Sequence, residues 1–439
     1  MAAAQSTTLL HRFPPRTYVA FRKPRHPYLL SAMVMMAAGS VVLFEPAPYD
    51  VALVILMVAG ILLNRLSFRF SHRLPLVLLA GFIASNFISL PNAIDPRLSF
   101  SYSLVSIYLA GSWLFFAGVA SAYGYRGVTA LTKGYVAAGV FSALLASCAY
   151  FRLIPFQSVL LRYGRAQGLF KDPNVYGPYL VPVLLFGLAA MQEARILSPR
   201  FWRALVVCCT SIIGIFLSFS RACWVNAGIS ILIFVGFELL YGFRRGSIRK
   251  DVLRIPLALA ALAAITTIFL AANSETGHML FVRLGTNGLH DYDATRFGTQ
   301  RKALESTLNN PVGIGTRQSE LVFQYATHNM YLRVLTENGV LGFATFFAFI
   351  VLSLLRCAKL AIALRDSQWR RLFVILTAAL SGLLVNGCVI DTIRWRHFWF
   401  LLGLAWCAPG VRRPLRKWLA YGRRAPMAAS LPQKKQICA

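Results

Sequence analysis

Acidic residues are scarce in this chain: 15 Asp and Glu stand against 45 Lys and Arg in 439 residues, and charged residues make up only 14%. Beside 57% apolar residues, so small a charged fraction excludes an ordinary water-soluble domain, whose single core could not hide that much apolar surface. The bilayer is the expected solvent. The eight cysteines form neither a CxxC pair nor a paired-loop spacing. They are expected as small apolar side chains, without a disulfide framework or a metal. The first 26 residues carry Pro14, Pro15, Arg16, Arg22, Lys23 and Arg25 but no apolar core followed by a small-residue cleavage site. A basic cytoplasmic tail is expected there in place of a signal peptide. Internal repeats, low-complexity tracts and Gly/Ser linkers are missing as well.

What is present is a succession of long apolar runs. Stretches near the roughly 20 residues needed to cross hydrocarbon lie at 27–44, 50–64, 74–90, 101–122, 129–150, 173–191, 203–219, 222–243, 254–272, 338–360, 371–390 and 395–410. The expected fold class is therefore an all-α, polytopic transmembrane protein of about twelve spans. Of the 45 Lys and Arg, 31 fall in one set of alternate connections and tails and 14 in the other. Positively charged segments resist translocation, so both termini are expected on the cytoplasmic side of the membrane. The chain divides into a basic tail at 1–26, spans one to nine at 27–272, an external loop at 273–337, spans ten to twelve at 338–410, and a second basic tail at 411–439. With most of the basic excess facing the anionic inner leaflet, membrane lipids are the expected partners and nucleic acid is not.

Ionisable residues avoid the span centres, where pumps and coupled transporters usually need them. They gather at the external ends instead. The connection at 151–172 holds Arg152, Arg162, Arg165 and Lys171 against the topological bias, and a bound anion would account for them. In its segment Arg165-Ala-Gln-Gly168-Leu-Phe170-Lys171-Asp172-Pro173-Asn174, Gly168 permits a bend and Asp172 is placed to cap a helix beginning at Pro173. Such a helix start, with Arg165 beside it, suits a phosphate. Arg162 and Lys171 fit better as interfacial anchors snorkelling to headgroups. Arg221, in Ser218-Phe-Ser220-Arg221, sits in a very short connection and could bind a diphosphate bidentately or pair with Asp391 or Glu337. His328 leads the run His328-Asn329-Met-Tyr331 that continues to Glu337-Asn-Gly339-Val-Leu-Gly342. A neutral imidazole there could accept a proton from a hydroxyl, with His278, His290 and His397 as external competitors.

The blocks Arg165-x-x-Gly168-x-Phe170-x-Asp172-Pro173-Asn174, Ser218-x-Ser220-Arg221 and His328-Asn329-x-Tyr331 through Glu337-x-Gly339-x-x-Gly342, in this order on a many-span chain, resemble the bacterial O-antigen ligase and O-antigen polymerase superfamily. Asn310-Pro311-x-Gly313-x-Gly315, ahead of the third block, resembles its large-loop text. The resemblance runs over about residues 160–345. It implies transfer of a glycan from an undecaprenyl diphosphate carrier to a sugar hydroxyl on lipid A core or on another glycan, at the periplasmic face, without metal or other cofactor. It further implies that Arg165 and Arg221 bind the donor diphosphate and that His328 is the base. Arg296 is expected as a third anion contact, and Asp172, Asn174, Asn329 and Glu337 as supporting residues. Ligase and polymerase chemistry would use one such site. A transporter of an anion or lipid-linked sugar is disfavoured by the uncharged span centres, and a non-catalytic scaffold leaves the external basic residues without a purpose.

Overall fold

The computed structural model describes residues 26–68, 72–244 and 289–407, with positions 260, 261, 264 and 277 between them. The expected ninth span at 254–272, the start of the long loop and both basic tails thus lie almost wholly outside the described residues. The chain is an all-α polytopic membrane protein. Among the described residues eight helices are long and apolar enough to cross a membrane, and two shorter apolar helices precede them. In chain order these are α1 (Pro27–Ala37), α2 (Pro48–Leu62), α3 (Arg73–Ile88), α4 (Pro96–Tyr123) and α5 (Tyr125–Tyr150). After a one-turn α6 (Gln157–Leu160) and a minimal hairpin, β1 (Leu161–Arg162) and β2 (Arg165–Ala166), come α7 (Pro173–Glu193), α8 (Pro199–Leu217) and α9 (Arg221–Arg244). Then follow α10 (Leu289–Asn309), the short α11 (Ser319–Phe323), α12 (Met330–Ala363), α13 (Ser367–Asn386) and α14 (Arg396–Ala405).

The helix starts follow from local chemistry. Five helices open on proline at the first position, where a missing N–H costs nothing. Asp95, Asp172, Ser198, Asn329 and Asp366 each accept a backbone N–H of the first turn. The helix α12 starts at Met330, ahead of the apolar run at 338–360, and is broken at Gly339, where φ is +67°. The break exposes carbonyls that need partners. The segment 311–315 supplies and receives them: Ile314 N–H donates to Thr336 O and Gly315 N–H to Glu337 O, both at 3.0 Å, while Val340 N–H donates to Pro311 O at 2.9 Å. Gly313 and Gly315 hold φ near +95° to make that fit.

Contacts sort the helix ends into two groups, and this sets up the site. At one end, Val42 N–H donates to Leu169 O and Lys171 pairs with Glu45 at 3.1 Å. There too Asp50 receives Arg396 bidentately at 2.6 Å, and Asn92 donates to Gly313 O. At the opposite end, Arg356 donates to Ala405 O, Arg371 pairs with Glu193 and buried Arg370 pairs with Glu238. The core between the ends is apolar and tightly packed, with Trp113, Tyr135, Phe116, Phe349 and Trp399 fully buried.

Candidate active site

The connection between α5 and α7 folds back on itself. Tyr163 and Gly164 both take positive φ, at 52° and 69°, which makes the tight turn of the β1–β2 hairpin. The hairpin tucks Arg165 inward to 9% exposure. Its Nε donates to Ser218 O and its Nη2 to Asn174 Oδ1, each at 2.8 Å. Asp172 caps α7, its Oδ1 accepting from Asn174 N–H at 2.7 Å. Three sequence-selected residues are thus one unit: Asp172 fixes Asn174, Asn174 receives Arg165, and Arg165 reaches across to the turn that precedes α9. Arg162, paired with Arg165 across the hairpin, donates instead to Lys171 O at 2.8 Å.

Ser218 ends α8, Phe219 adopts φ of 45°, and α9 begins directly at Arg221. Arg221 is exposed and has no hydrogen-bond or ion-pair partner among the described residues. The carboxylates weighed as its partners are taken: Asp391 and Glu337 both pair with Arg333 and Arg394. A guanidinium at a helix N-terminus adds to the positive end of the dipole, so the pair of features attracts an anion and repels a cation.

His328 is half-buried and holds φ of 46°, a left-handed conformation that costs a non-glycine residue of order 1–3 kcal/mol. Its ring packs edge-on against Tyr325, with centroids 5.2 Å apart. Asn329 caps α12, its Oδ1 accepting from Tyr331 and Leu332 N–H at 3.0 Å. Burial, then the charges of Arg296 and Arg333, hold the His328 imidazole below its ordinary pKa, against the opposite pull of Asp391 and Glu320. The ring is therefore neutral at mild pH and able to accept a proton. Arg296 does reach this site, but through Nη2 bonds to two carbonyls, His328 O at 3.3 Å and Val389 O at 3.0 Å.

Beside His328 stands a charge network that no sequence motif marks. Arg333, 4% exposed in its side chain, donates to Asp391 at 2.6 Å, Glu320 at 2.7 Å and Glu337 at 3.0 Å. Arg317 joins through Glu320 at 2.6 Å, and Arg394 completes three cations against three carboxylates. Glu337 also accepts the Arg317 N–H at 2.7 Å, so its carboxylate fastens the 311–319 segment to α12. The only sequence signal was the four-residue spacing of Arg333 and Glu337, which places them on one helix face. Asp391 is held below the usual carboxylate range because Arg333 and Arg394 outweigh its burial. The competitor His397 is buried, its ring packed against those of Tyr179 and Trp395. His278 lies outside the described residues.

The arginine group and the histidine group meet around the C-terminal end of α13. A Cβ at Gly382 would press on Asn226 of α9, and Arg221 lies five residues before Asn226 just as Gly387 lies five after Gly382. In antiparallel neighbours that register puts Arg221 level with Gly387. Gly387 O in turn accepts the Met330 N–H at 2.8 Å, two residues after His328. That register brings the 218–221 turn, which Arg165 reaches, and the start of α12 just after His328 to the same end of α13. Residues 205–347 match the family model described as O-antigen ligase. That span includes Arg221, Arg296, His328, Asn329 and Glu337 and leaves out Arg165, Asp172 and Asn174. No curated protein matches the chain.

Proposed function

We propose, from the match of residues 205–347 to the O-antigen ligase family model, that this chain acts as a member of the O-antigen ligase and polymerase superfamily and moves a glycan from undecaprenyl diphosphate to an acceptor sugar hydroxyl at the periplasmic face of the inner membrane. The observation that carries the proposal is Arg221: an exposed guanidinium at a helix start, with no ion-pair partner among the described residues. Cations left in that state call for an anionic ligand. A lipid diphosphate suits a site at the membrane rim, where the chain of the carrier stays in hydrocarbon while its charge reaches Arg221 and the Arg165 unit.

In the proposed step His328 takes the proton from the acceptor hydroxyl, and the oxygen attacks the anomeric carbon of the donor. The bond from that carbon to the diphosphate oxygen breaks, and undecaprenyl diphosphate leaves with one more negative charge than it carried as a diester. Arg221 stabilises the charge that grows on the leaving group, the kind of preorganised electrostatic contribution that dominates many transfer reactions. Direct displacement inverts the anomeric centre. Lipid A core as acceptor makes the protein a ligase, and a growing glycan on a second carrier makes it a polymerase. Offering each acceptor to the purified protein with a lipid-diphosphate glycan decides between them. In the same assay Arg221→Ala should raise the donor KM and lower kcat by about a hundredfold, the scale of losing one charge-stabilising donor. Unchanged constants would remove Arg221 from the donor site.

A further inference from the structure

We infer that α10 is a clamp on the catalytic histidine: Arg296 and Gln300 fix the peptide carbonyls of Thr327 and His328 and thereby set where the imidazole stands. The inference rests on the glycan-transfer reading of His328 and assigns Arg296 a positioning role in place of the anion contact expected from sequence. Arg296 and Gln300 are four residues apart and so project from one face of α10. Gln300 Nε2 donates to Thr327 O at 3.0 Å, and Arg296 Nη2 donates to His328 O at 3.3 Å. The same Nη2 donates to Val389 O at 3.0 Å, which ties the histidine loop to the α13–α14 connection. Two consecutive carbonyls of the loop are therefore held from one helix.

The clamp answers a physical need. A left-handed histidine persists only where its surroundings over-determine it. Downstream, Asn329 caps α12 and Met330 N–H is bound by Gly387 O. Upstream, Thr327 is fully buried and is held by Gln300. His328 thus stands between two anchored peptides, with its ring against Tyr325. The charged groups that face it are Arg296 from α10, Arg333 from α12, Glu320 from α11 and Asp391 from the α13–α14 connection. Arg296 contributes a hydrogen-bonded anchor and a positive charge at once, and the two contributions separate by substitution. Arg296→Lys keeps the charge but not the planar fork, whereas Gln300→Leu removes an anchor and no charge.

The test is the pH profile of transfer by the purified full chain, with donor KM and kcat measured apart. Gln300→Leu and Arg296→Lys should each lower kcat about tenfold, within the hundredfold that a misplacement of about 1 Å costs, with donor KM little changed and the acidic limb where the wild type has it. Arg296→Gln should lower kcat and also move the acidic limb to higher pH, because loss of the cation raises the pKa of His328. A rise in donor KM with kcat and the limb unchanged would make Arg296 a donor ligand and overturn the clamp. So would wild-type kcat in both Arg296→Gln and Gln300→Leu. His328→Ala serves as the separate control: if it transfers at wild-type rate, the base assignment itself falls, and if it is inactive while the α10 variants behave as wild type, only the clamp falls.

Discussion

Replacing Arg333 by Met should destabilise the protein by about 3–5 kcal/mol, the range for breaking a buried ion pair by removing one partner. Burial decides that scale. An exposed pair is worth about 0–1 kcal/mol, but the Arg333 side chain is 4% exposed and that of Glu337 2%, so neither group can turn to water when the other is lost. With Arg333 gone, the three carboxylates face Arg317 and Arg394 alone, and Arg394 stands 3.7 Å from Glu337. The deficit depends on pH with a definite sign. In the wild type the cations hold the Asp391 pKa below its ordinary value, so its contribution to stability is full near neutrality and is lost as pH falls through that lowered value. In Arg333→Met the burial of Asp391 loses its main counterweight, and the carboxyl is easier to protonate. The deficit should then be largest at pH 7 and shrink on acidification toward the unfolded carboxylate range near 4. Thermal unfolding of the detergent-purified protein, followed by tryptophan fluorescence at pH 7 and pH 5, reads both effects. Adding Glu337→Gln to Arg333→Met should restore about 1–3 kcal/mol by removing one stranded charge. An Arg333→Met protein as stable as the wild type at pH 7, or a double variant weaker by the sum of the single losses, would show that the buried network does not hold the fold in this way.

Two further outcomes follow from the backbone and from the grouping of helix ends. Gly339→Ala should cost several kcal/mol and abolish transfer, because φ of +67° and the contact of the added Cβ with Pro311 O and Val312 leave it no room; normal expression and melting would show that the break in α12 is not required. In a background lacking the native cysteines, Tyr163→Cys should react with an impermeant thiol reagent in intact cells. Leu197→Cys, at the other end of α7, should react only after permeabilisation. Both positions are exposed, at 80% and 68%, so the reverse pattern would invert the proposed orientation.

The spans were legible because hydropathy over some 20 residues is a property of contiguous text. So were the local devices: Asp172 before Pro173 predicts a capped helix start, and the cap is there. Gly168 marks a bend and holds φ of 57°. The partners of the charged residues were not legible, because the contacts span long separations. Asp50 meets Arg396 across 346 residues and Arg333 meets Asp391 across 58, and nothing in either neighbourhood names the other. That is why Glu337, expected beside Arg221 as a possible counter-ion, proves to belong to Arg333. Arg296 was drawn into the site by its charge alone. Its partners are backbone carbonyls, which every residue possesses and no motif records. The expected tenth span at 338–360 misses the first two turns of α12 because Arg333 and Glu337 make that stretch polar, and only their pairing with each other and with Asp391 lets it bury.

In the proposed reaction a neutral His328 removes the acceptor proton while Arg221 receives a lipid diphosphate at the same end of the helices. The most direct measurement is single-turnover transfer in proteoliposomes by His328→Ala beside the wild type, with donor binding measured on both. His328→Ala should bind the lipid-diphosphate glycan as the wild type does and transfer it at least about a hundredfold more slowly, the lower range for loss of a general base. Transfer by His328→Ala at the wild-type rate, with the donor bound equally well, would contradict it.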